Sequence, residues 1–141
     1  AEAQYIAGMG FSNVGLGIVH SMAHPLGAFY DTPHGVANAT LLPYVMEYNA
    51  ESPSRAKYLD IARAMGVKTD GMSVDEGVRA AIDAVKALSL SIRIPQRLHE
   101  LGVREEDIPA LAVAAFNDVC TGGNPRPTSV EEIERLYHIA Y

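Results

Sequence analysis

Cysteine is nearly absent from this chain. Its 141 residues include one, Cys120, so no disulfide can form within the chain. That usage fits a reducing compartment and predicts a cytoplasmic protein. Long apolar runs are missing too. No uninterrupted apolar stretch reaches the roughly 18 residues of a membrane-spanning helix, so none is expected. No basic segment precedes an apolar one near Ala1, so no secretory leader is expected. Positive charge is scarce: 11 Lys and Arg stand against 17 Asp and Glu, for a formal net charge of −6. This argues against nucleic acid or an anionic membrane surface as the main partner. No run alternates at period two, β-branched residues do not cluster, and there is no internal repeat or low-complexity tract. A glycine-rich dinucleotide loop is also missing. The one Gly-Gly loop, around Gly122 and Gly123, has no strand before it and no Lys-Ser/Thr pair after it.

What is present points to helices. A hydrophobic fraction of 48% with 20% charge is ordinary for a globular domain. The length suffices for one domain with a real core. Apolar residues recur at helical spacing, and the pattern predicts an all-α fold of about six to eight helices over residues 1–141. The opening AEAQYIAGM, with no initiator Met, reads as the inside of a helix and predicts a fragment whose beginning has been removed. Gly8 and Gly10 are expected to end that helix. A loop at Phe11–Asn13 follows, from which Ser12 or Asn13 would cap the next helix. Gly15 and Gly17 would lie inside it, at about 1 kcal/mol each against alanine, tolerated for close packing or a close ligand. His34 to about Glu47 forms a further helix, in which Pro43 predicts a kink or early stop.

Downstream, Tyr58, Ile61, Ala62 and Met65 mark an amphipathic helix closed by Gly66. Ser73 with Glu76 predicts a capping box ahead of a core stripe of Val78, Ala81, Ile82, Val85 and Leu88. The acidic run Glu105–Asp107 reads as a solvated helix start with Pro109 just inside. Leu111, Ala112, Ala115, Phe116 and Val119 would share one face. Ser129 with Glu132 predicts a second capping box, followed by the stripe Val130, Ile133, Leu136, Tyr137 and Ala140.

The stretch VGLGIVHSMAHPLGAFYDTPHGVAN carries the chemistry. His20 and His24 lie four apart and share a helix face. Pro25 removes one donor and makes a kink near His24 possible. His34 follows Pro33, where a second helix can begin, so the two helices can bring three imidazoles together. Such a cluster suits a divalent transition metal such as iron or zinc. The spacing is not HExxH, so the glutamate base of a zinc protease is absent. Asp31 is the only acid in the stretch, a candidate to complete the site or to orient a ligand imidazole. Two other readings stay open on the residues alone. One is a metal-dependent hydrolase in which zinc activates water. The other is a non-catalytic helical interaction module whose histidines serve packing.

The run GMGFSNVGLGIVHSMAHPLGAFYDTPHGVANATLLPYVMEYN resembles the signature of the iron-containing alcohol dehydrogenases, as do YLDIARAMGV, GVREEDIPALA and VCTGGNPRP. The resemblance covers essentially the whole chain, and is nearest to members acting on lactaldehyde and 1,2-propanediol. It implies the helical, metal-binding C-terminal domain of a two-domain, dehydroquinate synthase-like dehydrogenase. The N-terminal α/β domain, which binds the nicotinamide dinucleotide, is not in this chain. By the resemblance His20 and His34 are metal ligands, for Fe2+ or alternatively Zn2+. His24 stands beside the metal where nicotinamide and alcohol meet, as catalytic and cofactor-binding residue. Phe11 and Cys120 wall the alcohol pocket. The implied partners are a short alcohol or aldehyde, NAD, the chain's own N-terminal domain, and a second copy in a homodimer. The other two ligands of the family, an Asp and a His four residues later, have no counterpart here, because no D-x-x-x-H occurs. The parent would pass hydride between NAD(H) and a short alcohol, and this piece alone would be inactive.

Overall fold

A computed structural model describes residues 2–141 of the chain. Every regular element among them is helical. The α-helices are α1 (Glu2–Val14), α2 (Ile18–Tyr30), α3 (His34–Asn49), α4 (Tyr58–Ala64), α5 (Val74–Ser91), α6 (Ile108–Phe116) and α7 (Val130–Ala140). Short 3-10 turns lie at Arg55–Lys57, Leu98–Leu101, Glu105–Asp107 and Thr121–Gly123. No helix among the described residues is long and apolar enough to cross a membrane.

The core forms in two parts, and α3 joins them. On one side Ala37, Leu41 and Val45 of α3 meet Ile18, Met22 and Leu26 of α2, Ile108 and Leu111 of α6, and Ile133 and Leu136 of α7. On the other side Met46 of α3 meets Tyr58 and Ala62 of α4 and Val78, Ala81 and Ile82 of α5. A helix packed on both sides needs apolar residues around its circumference, which is why α3 shows no single stripe. The same two-sided packing explains why Pro43 does not stop it. Apolar burial on both flanks outweighs one lost backbone hydrogen bond, and α3 runs on to Asn49.

Tyr137 ties α7 to α2. Its ring is fully buried and its hydroxyl donates to the Met22 carbonyl at 2.6 Å. Burial pushes the phenol far above its ordinary range. Tyr137→Phe is expected to cost about 1 kcal/mol, the net worth of one buried hydrogen bond. Urea unfolding would show this as a lower midpoint with an unchanged slope.

The structure corrects several local expectations. Helix α1 continues through Gly8 and Gly10 and ends at Val14, before Gly15, whose φ of +80° only glycine adopts freely. Ser12 and Asn13 therefore lie inside α1, bonded back to the Gly8 and Met9 carbonyls at 2.7 and 2.6 Å. Neither caps α2, whose N-cap is Gly17. Gly15 and Gly17 sit in the connection rather than inside the helix, so the expected helix penalty does not arise there. The Ser73–Glu76 capping box forms in full, but the second forms only by half. Ser129 accepts from the Glu132 amide at 3.3 Å, while the Glu132 carboxylate turns away to the Tyr48 hydroxyl at 2.9 Å. Leu88, Phe116 and Val119 fall outside the core. Leu88 lies in the last turn of α5, and Val119 lies past the end of α6.

Candidate metal centre

The two helices that carry the histidines meet at a tight corner. Asp31 closes α2 in a left-handed conformation, with its amide on the Gly27 carbonyl at 3.0 Å. Pro33 then opens α3, whose first residue is His34. The corner brings three rings together: His20 and His24 each reach His34 with ring centres 5.4 Å apart, and His20 and His24 are 6.2 Å apart. His24 and His34 are nearly parallel, at 19° between planes. Burial, with the neighbouring His34 and His24, lowers the His20 pKa. The ring is therefore held neutral, the form that offers a lone pair to a cation. Two rings whose centres lie 5.4 Å apart can turn one nitrogen each onto an ion at about 2.1 Å. The donor set thus fits a divalent transition metal.

Asp31 stays out of this cluster. It is exposed, and its part is to cap α2. The carboxylate that joins the histidines is Asp118, in the connection after α6. Its Oδ2 accepts from His24 Nδ1 at 2.8 Å and its Oδ1 accepts from the Cys120 amide at 2.8 Å. Partial burial alone would raise the Asp118 pKa. The hydrogen bonds from Cys120 and His24 outweigh it and hold the carboxyl below its ordinary range. Potential ligand atoms of His24, Asp118 and Cys120 lie within 4.8 Å of one another, so Cys120 stands on the His24 side of the cluster. Burial, then Asp118, pushes the thiol pKa up. A thiol held protonated is a neutral surface, not a nucleophile.

Phe11 stands near His20. It lines an open cleft of about 560 Å³ together with Val14, Leu16, Val19, His20 and Asn124. Cys120 does not line that cleft: of the two expected pocket residues, Phe11 shares it with His20, while Cys120 neighbours His24. Asn124 is the joint of this region. Its side-chain oxygen accepts from the Ile18 amide at 3.4 Å, supplying the start of α2 with the cap its own sequence lacks. Asn124 and Asn49 also exchange a reciprocal pair of amide hydrogen bonds at 3.0 and 2.8 Å. Arg126 fixes the loop further: it stacks 3.9 Å from the Tyr48 ring centre and pairs with Glu51 at 2.9 Å. Asn38, one turn after His34, places its amide nitrogen 3.1 Å from His34 Nε2.

Sequence reasoning passed over Asp118, Asn124 and Asn38. A signal existed for the first: an Asp whose side chain accepts from the amide two residues on is a common turn-former. Asn124 and Asn38 offered only residue type.

Residues 1–141 match the family described as Fe-containing alcohol dehydrogenase family, C-terminal. The chain is 64% identical to lactaldehyde reductase of Escherichia coli over 141 residues, covering 100% of this chain and 37% of that protein. It is 47% identical to 1,3-propanediol dehydrogenase of Citrobacter freundii over 141 residues, covering 100% of this chain and 36% of that protein. Among solved structures, alcohol dehydrogenase from Oenococcus oeni superposes with a TM-score of 0.94 at 41% identity, over 99% of this chain and 36% of that one. The chain thus spans just over a third of the length of the curated relatives it matches. Sequence and backbone agree from one end to the other over an all-helical fold, and the chain belongs to the Fe-containing alcohol dehydrogenase family.

Proposed function

We propose that this chain is the helical metal-binding domain of a dehydrogenase. The whole enzyme passes hydride between NAD(H) and a short primary alcohol or its aldehyde, such as 1,2-propanediol and lactaldehyde. The observation that carries the proposal is the convergence of three imidazoles at the α2–α3 corner, beside an open cleft. His20 and His34 hold the ion, iron by family and zinc as the alternative. When bound, the ion supplies Lewis-acid polarisation of the alcohol or carbonyl oxygen.

The residues of this chain do the rest of its share. His24 is half-exposed and keeps one ring nitrogen engaged by Asp118. Its other nitrogen is free to take the alcohol proton and pass it to water, work worth about 10²–10⁴-fold in rate. His24 also contacts the nicotinamide cofactor and orients it. Phe11, by His20, and the uncharged Cys120, by His24, give the alcohol apolar walls. No side chain here accepts hydride, so a redox cofactor must. The nucleotide-binding α/β domain and the remaining ligands, an Asp and a His four residues later, come from outside these residues. Neither a hydrolase nor a packing module draws support from the relatives reported above.

The intact enzyme, with this chain joined to its upstream D-x-x-x-H segment and loaded with Fe2+, is expected to reduce NAD with 1,2-propanediol. The 141-residue chain alone is expected to give no turnover. Turnover by the isolated chain would overturn this division of labour, and ester hydrolysis without nicotinamide would favour the hydrolase.

A further inference from the structure

We infer that Asp118 is the positioning residue for His24: it fixes the imidazole in the Nδ1–H tautomer, so that Nε2 faces the reactants as an unprotonated acceptor. The inference rests on the reading of His24 as the proton-handling group and specifies how it is made ready.

For the neutral imidazole the geometry leaves one tautomer. A carboxylate accepts and does not donate, so the 2.8 Å contact between His24 Nδ1 and Asp118 Oδ2 has its proton on Nδ1. A neutral imidazole carries one proton, and Nε2 then keeps its lone pair. Asp118 cannot swing away, because its other oxygen accepts from the Cys120 amide at 2.8 Å. Both oxygens therefore accept, each from a fixed donor. His24 comes from α2 and Asp118 from the connection after α6. The two stay in register because the 3-10 turn after Cys120 is bonded to α2: the Thr121 hydroxyl donates to the Ala115 carbonyl at 2.7 Å and accepts from the Ser21 hydroxyl at 2.8 Å. Without such a partner the ring is free to take the Nε2–H form, which offers the reactants a donor where an acceptor is needed.

Asp118→Asn tests this sharply, since it keeps the shape and removes one acceptor. The Cys120 amide only donates, so it claims the remaining oxygen. The new amino group then faces His24 Nδ1 and can only donate to it. The tautomer is therefore expected to invert, with the proton on Nε2.

The tautomer is read by nitrogen-15 NMR of the His24 ring in the metal-free chain, in mildly alkaline solution. The expected result is Nδ1–H in the parent and Nε2–H in Asp118→Asn, with His20 and His34 signals and helix content unchanged. An Nε2–H ring in the parent, or Nδ1–H retained in the variant, overturns the inference. In the intact enzyme Asp118→Asn is expected to lower kcat by about a hundredfold or more with KM changed little, and His24→Ala at least as much. If His24→Ala abolishes turnover while Asp118→Asn leaves kcat intact, the positioning role is overturned and the reading of His24 survives. If His24→Ala leaves kcat intact, that reading falls and the positioning role falls with it.

Discussion

Replacing His20 or His34 by alanine is expected to lower the affinity of this chain for Fe2+ or Zn2+ more than about a hundredfold. Changing a group that merely orients a ligand costs 10–100-fold, and removing the ligand itself must cost more. The two rings lie 5.4 Å apart and belong to different helices, so an ion between them clamps the α2–α3 corner. Binding to the folded state alone raises stability in proportion to the logarithm of ligand concentration over Kd. The parent chain should therefore melt at a higher temperature with added metal, and the two variants should not. His20 is partly buried and His34 exposed, and neither belongs to the apolar core, so the metal-free variants should melt close to the parent. Calorimetric titration and thermal melts with and without metal check both statements. Equal affinity in parent and variants would remove both residues from the site. A parent that binds no metal, together with a D-x-x-x-H-containing protein that does, would locate the decisive ligands outside these residues.

The second large effect is structural. Gly123→Ala is expected to destabilise the fold by about 3 kcal/mol, the upper part of the range for overpacking. A methyl group on Gly123 would stand 2.1 Å from the Leu16 carbonyl oxygen and 3.3 Å from the Leu16 carbonyl carbon. Both are backbone atoms, so no rotamer change relieves the clash. The loop after α6 must retreat from the start of α2, and Asn124 then leaves the Ile18 amide that it caps. For a chain of this size the melting temperature should fall by roughly 10 °C. Gly122→Ala is the control: nothing lies within 4 Å of the added carbon, and the change should stay within about 0.5 kcal/mol. Because the retreating loop adjoins His20 in the cleft, Gly123→Ala should also weaken metal binding, whereas Gly122→Ala should not. Equal melting temperatures for the two variants would show that the close approach at Leu16 is not needed.

Legibility differed by element. The fold class was readable because apolar spacing reports which face of a helix is buried. The stripe of α7, with Ile133, Leu136, Tyr137 and Ala140, is buried as its spacing required. The end of α1 was misread because two helical glycines cost only about 1 kcal/mol each, too little to stop a helix that other local terms favour. The capping box at Ser73 was readable because both partners lie within one turn. At Ser129 the same pattern forms by half, because Tyr48 and Arg126, distant in sequence, compete for the Glu132 carboxylate.

The same division runs through the candidate site. Sequence alone determined the helical class, the shared face of His20 and His24, and the proline corner that brings His34 to them, since each depends on spacing within about a turn or on one local turn. Only the tertiary structure decided that the carboxylate at the cluster is Asp118 and not Asp31, that α2 is capped by Asn124 and not by Ser12, and that Gly123 must be glycine. Those pairings cross 94 residues for His24 with Asp118 and 106 for Ile18 with Asn124. A contact over such a separation leaves no periodic trace in the sequence, because packing of α6 against α2, rather than any local preference, brings its partners within hydrogen-bond reach.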